Sequence, residues 1–262
     1  MTFSNLSISN NLASGLVSIT FRQLSQREIV DLVKNAGLDS IEWGGDVHAP
    51  HGDVAAARLV KSLTVDAGLK TAAYGSYYRA GPGDPSLFDK VLQSAVELDA
   101  PVIRVWAGGK GSAETTDEER DDIAADLRRI AGLAASANIK IALEYHGGTL
   151  TDNVASAKAV LDSTAAANVR TLWQPANDRN VDMHIAEIET LAPYLENVHC
   201  FHWHDYKNRY PLSDGKDQWR SYLSAIKKLN RPTAVLIEFV KDDSPDQFLA
   251  DASALKSWLQ PD

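Results

Sequence analysis

Short apolar runs alternate with helix-length segments along almost the whole chain, and eight such units follow one another without a linker-like or low-complexity break. Alternation of this kind directs a chain into a parallel sheet covered by helices. A length of 262 residues suits one closed barrel, for which roughly 250 is typical. The expected fold is therefore of the α/β class, a single-domain (β/α)8 TIM barrel spanning residues 1–262. An open doubly wound sheet is the competing architecture. It is disfavoured because no glycine-rich phosphate fingerprint follows the first strand.

Local signals divide the chain into these units. The first strand is expected near residues 5–9, with 16–20 as the alternative. Ser25 and Glu28 form a capping box, in which the serine accepts an early backbone N–H and the glutamate reaches back. Gly37 is a natural stop after that helix. Strands are expected at 40–43, 70–74 and 102–106, and helices at 54–67 and from Pro85 to about residue 98. Thr116 and Glu119 repeat the capping box and open a long helix to about residue 138. Later helices are expected at 153–166, 183–191 and 218–228, and a last one opens at Ser244-Pro245.

Four apolar runs in the second half, 140–144, 169–174, 198–202 and 234–238, each end on a polar side chain able to bind a metal. Those side chains are Glu144, Gln174, His202 and Glu238. Polar groups at the carboxyl ends of parallel strands are how a β/α barrel builds a site. Together the four supply oxygen and imidazole ligands for one divalent ion. Taken singly, each glutamate also reads, less readily, as half of a salt bridge, and His202 more often as a structural histidine. Their place on four successive strand ends of a closed rim favours convergence.

Other residues fill in the rim. Arg104 and Trp106 end the fourth strand and lead into Gly108-Gly109-Lys110-Gly111-Ser112. That text lacks the spacing of a phosphate loop, and a sugar-contacting rim is the expected use, with Trp106 against a ring face and Arg104 on an oxygen. Trp43, His48 and Tyr77 lie after the second and third strands, where mixed aromatic and polar groups suit carbohydrate. His146, just past Glu144, is a candidate base. His204 and Lys216 are expected to reach the substrate. The formal charge of −9 argues against nucleic acid as partner, because phosphate binding needs a basic surface. The lone cysteine, Cys200, rules out an internal disulfide and is expected in the core. No basic-then-apolar leader and no apolar run approaching 18 residues is seen. Neither a signal peptide nor a membrane partner is expected, and the cytoplasm is the default location.

Several phrases together carry a resemblance. They are Gly37-Leu38-Asp39-Ser40-Ile41-Glu42-Trp43, Leu143-Glu144-Tyr145-His146, His202-Trp203-His204-Asp205, Gly215-Lys216-Asp217-Gln218-Trp219 and Leu236-Ile237-Glu238. The chain resembles the xylose-isomerase-like TIM barrels, the superfamily of sugar isomerases and epimerases that also holds the family 2 apurinic (AP) endonucleases. The resemblance implies a divalent metal (Mn, Co, Mg or Zn) on Glu144, Gln174, His202 and Glu238, with Glu144 and Glu238 doubling as bases. It implies an isomerase or epimerase that works on a sugar or keto-sugar through a metal-stabilised enediolate. Two alternatives stay open: a lyase that expels a leaving group from a 3-keto-glycoside or anhydrosugar through the same enolate, and a non-catalytic sugar-binding barrel. Relatives commonly form dimers or tetramers, so a homo-oligomer is implied, although no interface is legible. One departure matters: Gln174 stands where the family has Asp, and Asn177 where it often has His. Two anionic ligands in place of three would make the site nearly neutral. DNA repair is disfavoured by the acidic charge and by the presence of only seven histidines.

Overall fold

The computed structural model describes residues 11–260. Its strands are β1 (Leu12–Val17), β2 (Ser40–Gly44), β3 (Lys70–Ala80), β4 (Val102–Ala107), β5 (Lys140–Glu144), β6 (Val169–Trp173), β7 (Leu195–Cys200) and β8 (Thr233–Ile237). They are parallel and form a closed barrel in chain order. Closure comes from β1, which pairs with β2 through Leu16 and Ile41 and with β8 through Leu16 and Ile237. The helices are α1 (Gln26–Ala36), α2 (Val54–Asp66), α3 (Ser86–Leu98), α4 (Asp117–Ala135), α5 (Val154–Thr164), α6 (Val181–Leu191), α7 (Lys216–Lys227) and α8 (Pro245–Leu259). None is long and apolar enough to cross a membrane.

The local chemistry explains most boundaries. Ser25 and Thr116 both make complete capping boxes with Glu28 and Glu119. Gly37 ends α1 in the left-handed conformation, φ 66°, which costs glycine little. Ser244 caps α8 by accepting from the Gln247 N–H, and Pro245 takes the first helical turn. α3 starts one residue later than expected, at Ser86. Pro85 occupies the cap position, and the Asp84 carboxylate accepts from the Ser86 N–H.

The first strand departs from both expectations. Residues 5–9 lie outside the described residues. The alternative, 16–20, overlaps only the end of β1, because Ser18–Phe21 turn into a short 3-10 helix.

Strand pleating sorts side chains into two sets, since successive residues point to opposite faces. Ile141, Leu143, Ile103, Val105, Val198 and Cys200 join the large core between barrel and helices. Their neighbours Ala142 and Val102 belong with Ala73 to a small separate cluster inside the barrel. The same phase sends Glu42, Arg104, Glu144 and His199 into the barrel. Cys200 is a buried free thiol, as expected.

Candidate active site

Glu144 ends β5, Glu238 follows β8, and Gln174 follows β6. All three line one cavity of about 290 Å³, together with Tyr77, Arg104, Trp106, His146 and Phe239. A second, outer cavity of about 630 Å³ shares His146, Gln174 and Trp203 with it and adds Asn153, Asn177 and Arg179.

The inner cavity rests on a chain of buried polar groups. Arg104, 2% exposed, donates from Nε to Glu42 Oε1 at 2.8 Å and from Nη1 to Glu144 Oε2. His199 Nε2 lies 3.1 Å from Glu42 Oε2, and its Nδ1 stands 3.3 Å from Glu238 Oε2 without the alignment of a hydrogen bond. The order is Glu144–Arg104–Glu42–His199–Glu238, so Glu42 joins the two cations that meet the cavity glutamates. Isolated charges at such depth would be neutralised by proton transfer, and pairing keeps them charged. Burial opposes ionisation of Glu42, but His199 and Arg104 outweigh it and hold the carboxyl down to about 2. Burial likewise opposes the charged form of His199, yet Glu238 and Glu42 raise it to about 10.

The two cavity carboxylates have different surroundings. Glu144 Oε2 accepts from both Arg104 Nη1 and Trp106 Nε1, and Gln174 Nε2 lies 3.3 Å from Oε1. Burial raises the Glu144 pKa, but Arg104, then His199 and His146, and the Trp106 N–H bring it below the usual carboxylate range. Glu238 has its backbone N–H tied to the Cys200 carbonyl at 3.0 Å, and its carboxylate meets His199. The next residue, Phe239, adopts φ 53°, a conformation a bulky residue takes only when its surroundings impose it. Its N–H donates to Thr20 Oγ1 at 3.0 Å, and its ring lies near-parallel to Trp203 at 5.9 Å. The sharp turn makes Phe239 a wall of the cavity beside Glu238.

The rim residues are sorted by the fold. Trp106 stacks on His146 at 5.2 Å and 18° and carries Arg79 over its ring at 3.9 Å. Tyr77 packs edge-on against Trp106 and accepts from Arg22 at 2.7 Å. Tyr77, Trp106 and His146 are thus at the inner cavity.

Trp43 is not. It is fully buried on the outer face of β2, where Nε1 donates to Thr64 of α2. His48 is also withdrawn, 1% exposed, with Nδ1 at Ser18 Oγ and Nε2 at the Leu24 carbonyl. His204 lies exposed in a turn closed by its N–H to the Asn208 carbonyl, and Lys216 is exposed at the start of α7. Neither lines the two cavities.

The expected metal quartet does not come together. His202 lies against Gly215 and Tyr210 and lines a different pocket with Trp219 and Tyr222. The reason is the pleat. β7 ends at Cys200 rather than His202, and His199 is the residue in phase with the barrel interior. Gln174 turns its amide nitrogen, not its oxygen, toward Glu144. Among the described residues, no group of three or more His, Cys, Asp or Glu side chains is arranged to hold a metal ion. The donor set therefore does not fit a divalent ion in this arrangement. Sequence reasoning missed Glu42 and His199, although a charged or imidazole side chain inside each short apolar run was a visible signal.

Comparisons with known proteins agree with this architecture. A sequence-family model described as xylose isomerase-like TIM barrel matches residues 30–258. The chain is 26% identical over 206 residues to a 3-dehydroshikimate dehydratase from Bacillus anthracis, covering 70% of this chain and 69% of that protein. It superposes on the crystal structure of a probable 3-dehydroshikimate dehydratase from Bacillus anthracis with a TM-score of 0.77 and 21% identity, over 93% of this chain and 98% of the other. A D-psicose 3-epimerase from Clostridium cellulolyticum H10 superposes with a TM-score of 0.73 and 14% identity, over 94% and 98% of the two chains.

Proposed function

Because the chain belongs to the xylose isomerase-like TIM barrel family, we propose that it is an enzyme that removes a proton beside a carbonyl of a small polyhydroxylated substrate and then expels an oxygen substituent from the next carbon, a carbon–oxygen lyase. The observation that carries this reading is the inequality of Glu144 and Glu238.

An epimerase of the two-base kind asks each carboxylate to take up and return a proton. Glu144 is poorly suited to that, since Arg104 and Trp106 both donate to Oε2 and favour its ionised form. Elimination asks for one base and one separate acid. Glu238, with fewer donors on its carboxylate, is the base. The C–H electron pair becomes the enolate, and the enolate returns to a carbonyl as the bond from the β carbon to oxygen breaks. His146, on the rim of the same cavity, gives the departing oxygen its proton. Gln174 Oε1 is buried and has no partner, so it is free to accept from a substrate hydroxyl. Tyr77, in the wall of the same cavity, supplies an aromatic ring against the substrate's C–H surfaces.

The likeness to a 3-dehydroshikimate dehydratase supports a hydroxylated cyclic ketone as the substrate class. Isomerisation or epimerisation of a keto-sugar is the second reading. It is favoured by the shared cavity of the two glutamates and by the likeness in fold to a sugar epimerase.

The deciding experiment incubates the protein in D2O with 3-dehydroshikimate, a 3-keto-glucoside and D-fructose, and follows product mass. Loss of water or of an alcohol supports the lyase. Deuterium uptake without loss of a group would replace it with the epimerase. Binding with neither outcome would leave a sugar-binding barrel.

A further inference from the structure

We propose that the buried guanidinium of Arg104 is the permanent cation of this site, serving Glu144 where the family pattern assigns a divalent ion, so that the chain neither requires nor retains such an ion. The inference rests on the reading above only in taking Glu144 and Glu238 as the working carboxylates.

Three independent features point to it. The first is the seat built for Arg104. Gly75 of β3 leaves open the space that the guanidinium and Glu42 fill. A Cβ at that position would come within 2.7 Å of Arg104 Nη2 and 2.7 Å of Glu42 Oε1. With Nε on Glu42 and Nη1 on Glu144, the fork is fixed by two carboxylates and cannot swing aside. A guanidinium also keeps its charge at any pH a protein meets.

The second feature is the direction of the donors on Glu144. A metal ligand must offer lone pairs to the ion. Here Oε2 faces two N–H groups, from Arg104 and Trp106, and Oε1 faces the amide nitrogen of Gln174. A divalent ion would have to displace donors from both oxygens and then sit beside a fixed positive charge, in a medium that screens poorly.

The third is the change in the other two ligands. Gln174 brings no charge where a carboxylate would, and His202 is turned toward Gly215, away from the cavity. A guanidinium carries half the charge of a divalent ion, and the loss of one carboxylate lowers the charge to be matched.

The test uses the full chain and metal ions alone. Protein dialysed against EDTA is titrated with MnCl2, CoCl2, MgCl2 and ZnCl2. Bound metal is read by elemental analysis after gel filtration, and stability by the thermal unfolding midpoint. The wild-type chain is expected to hold no stoichiometric metal and to show no shift. Arg104→Ala removes the guanidinium that Glu42 and Glu144 share and is expected to gain a metal-dependent rise in midpoint. Stoichiometric metal on the wild type that disappears in Glu144→Gln overturns the proposal, and so does a folded Arg104→Ala variant that takes up no metal. If Arg104→Ala does not fold, the wild-type and Glu144→Gln titrations decide alone.

Deuterium exchange into the substrate that survives EDTA treatment supports the proposal. Exchange lost with EDTA and restored by a metal overturns it. Absence of exchange before and after EDTA defeats the lyase reading, and the metal titration still decides the role of Arg104.

Discussion

On the β4–β5 flank of the cavity, Glu144 is gripped by Arg104, Trp106 and Gln174. On the β7–β8 flank, Glu238 meets His199 without a well-aligned hydrogen bond. Both side chains are buried glutamates at strand ends, and both drew the same expectation from the sequence. Their difference teaches that a carboxylate's use follows its donors. One wrapped in N–H groups is a fixed anion that organises its neighbours. The one with few donors is the base in the proposed reaction.

Glu238→Gln is expected to cut substrate deuterium exchange by about 10²- to 10⁴-fold, the worth of a general base, while far-ultraviolet circular dichroism stays unchanged. Exchange at the wild-type rate would transfer the base to the other flank.

The two flanks are joined through Glu42, so Glu42→Gln is expected to disturb both. Removing one partner from a buried ionic set costs about 3–5 kcal/mol, readable by urea unfolding. A loss below about 1 kcal/mol would mean that the flanks are independent.

Acidity sharpens the same link. Glu42, lowered from 4.5 to about 2, contributes stability that is complete above pH 4.5 and is lost as pH falls through about 2. His199, raised from 6.5 to about 10, contributes stability that is complete below pH 6.5 and is lost as pH rises through about 10. The gap in unfolding midpoint between wild type and Glu42→Gln should therefore be widest between pH 4.5 and 6.5. A gap that stays constant as pH rises through about 10 would show that the His199 charge plays no part.

The smallest effect is expected at His202. His202→Ala should leave kcat/KM within about tenfold of wild type, about 1.4 kcal/mol in barrier, because the side chain lies outside the inner cavity. A loss beyond about 10²-fold would return His202 to the reacting groups.

The sequence by itself determined the eight β/α units, the caps at Ser25 and Thr116, and the arrival of Glu144 and Glu238 at strand ends. These are set by neighbours a few residues apart: an N-cap oxygen reaches only its own first turn, and an apolar run ends where its polar residue begins. Tertiary structure alone decided which polar groups meet. Arg104 finds Glu42 across 62 residues, and His199 finds the same carboxylate across 157. At the end of β7 the pleat chose His199 over His202, and on β2 it sent Glu42 inward and Trp43 outward. Pleat phase and barrel closure depend on every strand at once, and a one-residue change of phase moves a side chain to the opposite face of the sheet.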